Sequence, residues 1–183
     1  MKKVIILDRD GTLNVDTGYL HEPEKAVLCE GAAEGLKKLS DAGFCFVVVS
    51  NQSGVGRGYF TEQELNATNE KIAALLAEQG VKIEAFFCCT HTPDKGCSCR
   101  KPKTGLVEQA EKELGFLRSD IFCTIGDKQA DVELAEKINV PSVLVFTGYG
   151  REHYDKGVCG TYNAKDLNEA ADILIEVLNN DRQ

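Results

Sequence analysis

Short runs of apolar residues recur along the chain and alternate with segments of helical periodicity. Five runs are predicted as strands: Val4–Leu7, Phe44–Val49, Ile83–Cys88, Ile121–Ile125 and Ser142–Phe146. Helices are predicted over Ala32–Ala42, Glu62–Gln79, Thr104–Leu114, Ala130–Ile138 and Leu167–Leu178. Largely apolar strands separated by helices are typical of a parallel sheet covered on both faces. The pattern therefore predicts an α/β fold of three layers, with a Rossmann-like, doubly wound parallel sheet in the middle.

The composition is that of an ordinary globular protein. The chain has 183 residues, of which 43% are hydrophobic and 27% charged, and it shows no internal repeat or linker. We therefore expect a single domain over residues 1–183, large enough to bury a core. No apolar run could cross a bilayer, and the run that stops at Asp8 is too short for a signal peptide. We expect a cytoplasmic protein with no membrane partner.

The charge balance bears on the choice of partner. A formal net charge of −8 disfavours nucleic acid, because nucleic-acid-binding proteins usually present a basic surface. A local cluster of lysine and arginine can still bind a small phosphorylated molecule. The sequence shows no obvious large apolar patch, which favours a monomer.

Polar residues follow the predicted strands at the point where each strand ends. Asp8, Ser50, Cys89 and Asp127 each come directly after an apolar run. Ligands of parallel sheets bind outside the carboxyl ends of the strands, so we expect these residues to share one rim. Asp10 would lie on the same side of an extended backbone as Asp8, and a divalent cation would remove the repulsion between the two carboxylates.

A second cluster of chemically active residues lies between the third strand and Arg100. His91, Cys97 and Cys99, with a cysteine at the end of the strand, supply three thiolates and one imidazole, which suits tetrahedral zinc. Because protein atoms would fill all four positions, the zinc would be structural. Cys88 and Cys89 compete for the fourth position, and strand alternation places them on opposite sides.

Four segments together resemble the haloacid dehalogenase superfamily of phosphatases. They are Asp8–Thr12, Ser50–Gly54, Arg100–Pro102 and Gly126–Lys128, in the order in which that superfamily has them. The resemblance implies a phosphoric monoester hydrolase with an aspartyl-phosphate intermediate. It also selects Cys89 rather than Cys88 as the zinc ligand, beside His91, Cys97 and Cys99.

The resemblance also implies a role for each residue at the rim. Asp8 would be the nucleophile and Asp10 the general acid and base. Mg²⁺ would be held by the Asp8 carboxylate, the Asp10 backbone carbonyl and Asp127. Ser50 and Lys101 would stabilise the charge on the transferring phosphoryl group.

The zinc-binding loop narrows the resemblance to one branch of the superfamily. That branch contains the D-glycero-D-manno-heptose 1,7-bisphosphate 7-phosphatases and the histidinol-phosphate phosphatases. No segment between the motifs is long enough for a large cap domain, so the fold is expected to be cap-less. The segments 14–19, 51–58 and 147–150 are similar to the heptose enzymes. The likeness implies release of the 7-phosphate to give heptose 1-phosphate, in the biosynthesis of nucleotide-activated heptose for a surface glycan.

The same likeness supplies the residues that would contact this phosphorylated sugar. They are Asp16, Thr17, Gly18, Tyr19, Asn51, Gln52, Ser53, Arg100 and Lys128. The planar guanidinium of Arg100 would suit the phosphate that is not cleaved.

Three alternatives remain at this point. The short zinc-binding loop looks more like the histidinol-phosphate group, so a phosphatase of histidine biosynthesis is the first alternative. A polynucleotide end phosphatase would share the chemistry, but the acidic charge balance disfavours it. A binding module that kept the phosphate pocket without turnover is disfavoured by the presence of both Asp8 and Asp10.

Overall fold

The computed structural model describes residues 3–180, in which six strands form one wholly parallel sheet. The strands are β1 (Lys3–Leu7), β2 (Phe44–Asn51), β3 (Ile83–Cys89), β4 (Ile121–Gly126), β5 (Ser142–Val145) and β6 (Tyr162–Ala164). Their order is β3-β2-β1-β4-β5-β6. The chain builds outward from β1 to β3 and then crosses to the other side of β1. The topological switch point, where parallel sheets bind their ligands, therefore lies between β1 and β4.

Helices cover both faces of this sheet. They are α1 (Ala32–Asp41), α2 (Ser53–Gly56), α3 (Glu62–Ala77), α4 (Gly105–Leu114), α5 (Gln129–Ile138), α6 (Gly150–Asp155) and α7 (Leu167–Asn180). One core packs the sheet against α1, α3 and α7 and includes Ile5, Leu7, Leu36, Ile72 and Leu174. The other packs it against α4 and α5 and includes Val4, Ile6, Val107 and Leu134. Alternate residues of β1 thus enter opposite cores, as a doubly covered strand requires.

The predicted fold class is confirmed. The structure has the predicted three-layer α/β architecture around a parallel sheet, and all five predicted strands and five predicted helices are present. A capping box begins α3, because the Thr61 hydroxyl accepts from the Glu64 backbone N–H at 3.2 Å and the Glu64 carboxylate accepts from the Thr61 N–H at 2.7 Å. Among the described residues, no helix is both long and apolar enough to span a membrane.

Among the strands and α-helices given above, three short ones were not predicted. The strand β6 has three residues and only one of them is buried, so it carries no apolar run. The helices α2 and α6 have four and six residues, which is too short for a helical period to show in the sequence.

Candidate active site

Asp8 lies at the end of β1 and is buried beside two lysines. The Lys101 ammonium donates to Asp8 Oδ1 at 2.8 Å and to Asp131 Oδ1 at 2.6 Å. Burial opposes ionisation of Asp8, but the positive charges of Lys101 and Lys128 outweigh it and hold the pKa of Asp8 below its ordinary 3.8. Asp8 is therefore a carboxylate at neutral pH, the form that a nucleophile requires.

Lys101 is placed by its backbone. The Asn51 side chain accepts from the Lys101 N–H at 2.9 Å and donates to the Lys101 carbonyl at 3.1 Å. This pair of hydrogen bonds joins the end of β2 to the segment that follows the cysteine-rich loop. The Asn51 amide is thus engaged with Lys101, although Asn51 still lines the cavity described below.

The Asp10 carboxylate is surrounded by hydrogen-bond donors. Its Oδ1 accepts from Asn14 Nδ2 at 2.9 Å and its Oδ2 from Gln52 Nε2 at 2.6 Å. The same Gln52 nitrogen lies 2.8 Å from the Ser50 hydroxyl. Gln52 therefore links the predicted acid and base to the predicted phosphate-binding hydroxyl. The guanidinium of Arg9 completes the set of donors.

Asp127 follows β4 and is fully buried next to backbone that carries no side chain. Its Oδ2 accepts from the Tyr149 N–H at 2.8 Å. A Cβ at Gly11 would lie 2.3 Å from that oxygen, and one at Gly148 would lie 2.1 Å from it. Both loops can approach Asp127 only because these two positions are glycine. Burial, together with the charge of Asp8, raises the pKa of Asp127 to about 7.

The Lys128 ammonium lies among the three groups predicted to bind magnesium. It is 3.3 Å from the Asp10 carbonyl oxygen, 3.4 Å from Asp127 Oδ1 and 4.0 Å from Asp8 Oδ2. Three oxygens that face one positive charge are the hard donor set that Mg²⁺ prefers. The residues present therefore fit a magnesium ion.

Asp8, Asp10 and Lys128 line a cavity of about 310 Å³ at the carboxyl end of the sheet. All four predicted catalytic residues line it, and so does every predicted substrate-binding residue except Thr17, whose side chain is exposed outside it. Tyr19 stands at its mouth, with its ring 4.8 Å from the Tyr59 ring in an edge-to-face contact. Arg100 also lines the cavity, and its Nη1 is buried and has no hydrogen-bond partner among the described residues.

The cysteine-rich loop brings the four predicted zinc ligands together next to this cavity. Cys89 Sγ lies 3.6 Å from Cys97 Sγ and 3.2 Å from Cys99 Sγ, and His91 Nδ1 lies 3.2 Å from Cys99 Sγ. All four ligand atoms lie within 4.8 Å of one another. Cys88 points to the other side of β3, where its sulfur accepts from Asn69 at 3.6 Å, so the geometry agrees with the choice of Cys89.

The thiols of this cluster do not ionise alike. Partial burial opposes ionisation of Cys97, but hydrogen bonds from the Cys99 thiol and the Arg100 N–H lower the pKa of Cys97 to about 6. A thiolate at neutral pH is the form in which cysteine binds a metal. The set of three sulfurs and one imidazole can hold a metal ion and fits zinc.

Several residues at the site were not predicted from the sequence. Arg9 and Asn14 contact Asp10 directly, and Asn69 contacts it through Arg9. None of the three is an acidic, thiol or hydroxyl residue at a strand end, so the strand-end pattern did not indicate them. Gly11 and Gly148 contribute to the site because they have no side chain. The Gly-Thr pair after Asp10 could have indicated Gly11, since glycine in such a turn permits a positive φ, here 85°.

Known proteins resemble this chain in sequence over most of its length. A family model described as polynucleotide kinase 3 phosphatase matches residues 3–128, and one described as HAD-hydrolase-like matches residues 98–170. The first match covers more than half of the chain, so the chain belongs to that broad group of phosphatase domains. The D-glycero-beta-D-manno-heptose-1,7-bisphosphate 7-phosphatase of Haemophilus ducreyi is 41% identical over 155 residues, which are 80% of this chain and 85% of the relative.

The chain belongs to the D-glycero-D-manno-heptose-1,7-bisphosphate 7-phosphatase family. The family relative of Photorhabdus laumondii is named for the alpha anomer of the sugar and is 37% identical over 156 residues, 80% of this chain and 84% of the relative. The crystal structure of the D,D-heptose 1,7-bisphosphate phosphatase of B. bronchiseptica, complexed with magnesium and phosphate, has a TM-score of 0.85 and 34% identity. It covers 96% of this chain and 99% of that chain. These heptose bisphosphate phosphatases share the cap-less HAD fold.

Proposed function

We propose that this protein hydrolyses the 7-phosphate of D-glycero-D-manno-heptose 1,7-bisphosphate to give heptose 1-phosphate, in nucleotide-activated heptose biosynthesis. The observation that carries the proposal is 41% identity to an enzyme of that name over 80% of the chain. A buried Asp8 carboxylate paired with Lys101 in an open cavity supports the same chemistry.

The reaction proceeds in two displacements. Asp8 attacks phosphorus, an Asp8 oxygen–phosphorus bond forms and the bond to the sugar oxygen breaks. Asp10 gives a proton to the departing alkoxide, and it then takes a proton from the water that attacks the aspartyl-phosphate. Lys101 and Ser50 stabilise the negative charge of the transferring group. A magnesium ion held by Asp8, the Asp10 carbonyl and Asp127 would supply a further positive charge at the phosphoryl oxygens.

Arg100 and the loop from Asp16 to Tyr19 bind the rest of the substrate in this proposal. Arg100 Nη1 is buried without a protein partner, which is costly unless a ligand oxygen accepts from it. A phosphate has such oxygens, so Arg100 binds the phosphate that is not cleaved. Tyr19 offers an apolar ring at the cavity mouth to the carbon skeleton of the sugar. Lys128 lies 3.2 Å from Asp16 and joins this loop to the proposed metal ligands.

The cysteine-rich loop holds a structural zinc ion in this proposal. Cys89, His91, Cys97 and Cys99 would fill all four positions of a tetrahedral ion, so no position stays open for substrate. The last of these ligands directly precedes Arg100 and Lys101 in the chain. The metal would therefore fix the backbone that carries both phosphate-binding side chains.

A panel of phosphate esters tests the proposed reaction. Both anomers of heptose 1,7-bisphosphate are compared with histidinol phosphate and a 3′-phosphorylated oligonucleotide, in the presence of magnesium. We expect kcat/KM to be largest for a heptose bisphosphate and turnover to be abolished in Asp8→Asn, with a loss of more than about 1000-fold. A larger kcat/KM for histidinol phosphate would overturn the assignment of the substrate while leaving the mechanism intact.

The oligonucleotide in the panel tests a second candidate. The match to the polynucleotide kinase 3 phosphatase model over residues 3–128 favours polynucleotide 3′ ends. The formal net charge of −8 opposes it, because an anionic protein repels a polyanionic substrate. Release of phosphate from the oligonucleotide at a rate that matches the sugar would decide for the second candidate.

We further propose that the protein works as a single cytoplasmic domain and as a monomer.

A further inference from the structure

The side chain of Arg9 carries a buried charge that has no role in the two displacements proposed above. Its exposed fraction is 0%. An arginine is rarely buried unless its donors are all engaged, because desolvation of the guanidinium is costly. Arg9 lies in the turn after β1, between the proposed nucleophile Asp8 and the proposed acid Asp10.

The guanidinium of Arg9 contacts Asp10 along one edge. Nη2 donates to Asp10 Oδ1 at 2.9 Å, and Nε donates to both carboxylate oxygens, at 3.1 Å to Oδ1 and 3.2 Å to Oδ2. Two parallel donors on one carboxylate fix the plane of that carboxylate as well as its position. Asn14 and Gln52 are the other donors to Asp10.

The other edge of the guanidinium is anchored in the scaffold. Nη1 donates to Asn69 Oδ1 at 2.9 Å, and Asn69 is a buried residue of α3. Nη2 also donates to the Leu20 carbonyl at 3.2 Å, directly after the loop that ends at Tyr19. Arg9 is thus held by a helix and by the base of the proposed substrate loop.

We infer that Arg9 is a positioning residue that aims the Asp10 carboxyl at the oxygen of the leaving group. This inference rests on the proposed role of Asp10 as general acid. A lysine could not replace Arg9, because a single ammonium lacks the planar fork that contacts Asp10 and Asn69 at once. Loss of Arg9 leaves Asp10 in place on the chain but no longer oriented, and misplacement on the scale of 1 Å can cost about 100-fold in rate.

The choice of leaving group separates this role from a merely structural one. A sugar alkoxide needs a proton as it departs, whereas p-nitrophenolate is a stable anion and needs little help from an acid. The parameter kcat/KM reports the steps up to transfer of the phosphoryl group, before the aspartyl-phosphate is hydrolysed. A residue that acts through the acid should therefore affect kcat/KM for the sugar phosphate much more than for p-nitrophenyl phosphate.

The experiment measures kcat/KM for heptose bisphosphate and for p-nitrophenyl phosphate in Arg9→Met, Arg9→Lys and Asp10→Asn. We expect Arg9→Met and Arg9→Lys to lose about 100-fold with the sugar and less than about threefold with the aryl ester. Arg118→Met is the matched control, since Arg118 pairs with Glu111 at 2.5 Å on the surface and should leave the ratio of the two parameters unchanged.

If the Arg9 variants do not fold, Asn69→Leu carries the test. It removes the acceptor of Nη1 and leaves Arg9 and Asp10 in the chain, so we expect the same preference at about tenfold. Asp10→Asn could lose much more kcat/KM with the sugar than with the aryl ester, while the Arg9 or Asn69 variants lose equally with both substrates. That result would overturn the inference about Arg9 and leave the proposed acid intact. Equal losses of kcat/KM for the two substrates in Asp10→Asn would overturn the proposed role of Asp10 as the acid, and with it the role of Arg9.

Discussion

At the scale of single residues, neighbouring carboxylates of the site differ because their surroundings differ. Lys101 and Lys128 outweigh the burial of Asp8 and keep its pKa below the ordinary value, whereas burial and the Asp8 charge raise the pKa of Asp127 to about 7. The proposed nucleophile Asp8 is therefore an anion at neutral pH, and the carboxylate of Asp127 beside it needs a nearby cation to ionise readily.

The raised pKa of Asp127 predicts a pH dependence of stability. Between its ordinary pKa of 3.8 and about 7, the folded state binds more protons than the unfolded state. The contribution of Asp127 to the free energy of unfolding therefore falls as pH rises through this range. In buffer with a magnesium chelator, we expect the melting temperature of the natural protein to fall, relative to that of Asp127→Asn, between about pH 4 and about pH 7.

The same melting temperatures are then measured with magnesium present. Magnesium should raise the melting temperature of the natural protein above pH 7, since it binds the ionised carboxylate, and should leave Asp127→Asn almost unchanged. Asp16→Asn is the control, because Asp16 also pairs with Lys128 but is not among the proposed ligands. Parallel melting curves for the natural protein and Asp127→Asn at all pH values would contradict the prediction.

At the scale of elements, the site depends on how closely the loops after different strands approach one another. Asp127 follows β4, Gly11 follows β1 and Gly148 follows β5, and all three meet at one carboxylate oxygen. Parallel strands bring these loops to the same edge of the sheet, and glycine then lets the backbones come close to the carboxylate.

Gly148→Ala should disable the site without unfolding the protein. The new Cβ would lie 2.1 Å from Asp127 Oδ2 and 2.7 Å from the Gly11 Cα, so Asp127 must move. We expect kcat/KM to fall by about 100-fold and the magnesium affinity to fall with it. Activity assays and calorimetric titration with magnesium measure the two effects.

Gly43→Ala is the matched variant for this prediction. Gly43 has a φ of 94°, and nothing lies within 4 Å of a Cβ built there. It precedes β2 at the amino end of the sheet, away from the site. This substitution should cost about 1 kcal/mol of stability through its backbone and leave kcat/KM unchanged. Equal kinetics in the two variants would show that the approach to Asp127 has no functional consequence.

At the scale of the whole molecule, the cysteine-rich loop connects the edge of the sheet to its centre. The loop starts at β3, the outermost strand on that side, and leads to Lys101, whose ammonium reaches Asp8 at the end of the central β1. The Asn51 amide holds the backbone on the way. A metal that orders the loop would therefore act on the site from outside it.

Removal of this metal should lower stability and activity together. We expect about one zinc per chain, and we expect a strong zinc chelator to lower the melting temperature by more than about 5 °C. Activity should return when zinc is restored but not when only magnesium is added. Cys97→Ser should behave like the chelated protein, whereas Cys159→Ser, at an exposed cysteine outside the cluster, should not. Zinc-free protein with an unchanged melting temperature would contradict the structural role.

The sequence by itself determined the longer elements of this protein and the residue types that the strand ends bring to the site. Apolar runs identify the five longer strands, and the residues that follow them identify Asp8, Ser50, Cys89 and Asp127, because both patterns are local. The strand order was decided only by the tertiary structure, since β1 pairs with both β2 and the distant β4. That order creates the switch point at which the separate strand ends become one cavity.

The same division holds for side chains. The resemblance to the heptose enzymes predicted Asn51, Gln52 and Lys128 as substrate contacts, and the structure also engages them with Lys101, with Asp10 and with the proposed magnesium ligands. The contact that anchors Arg9 could not be predicted from the residues around it, because Asn69 is sixty residues away in the chain. A hydrogen bond depends on where packing places both groups, and the chain sequence near one of them does not contain that information.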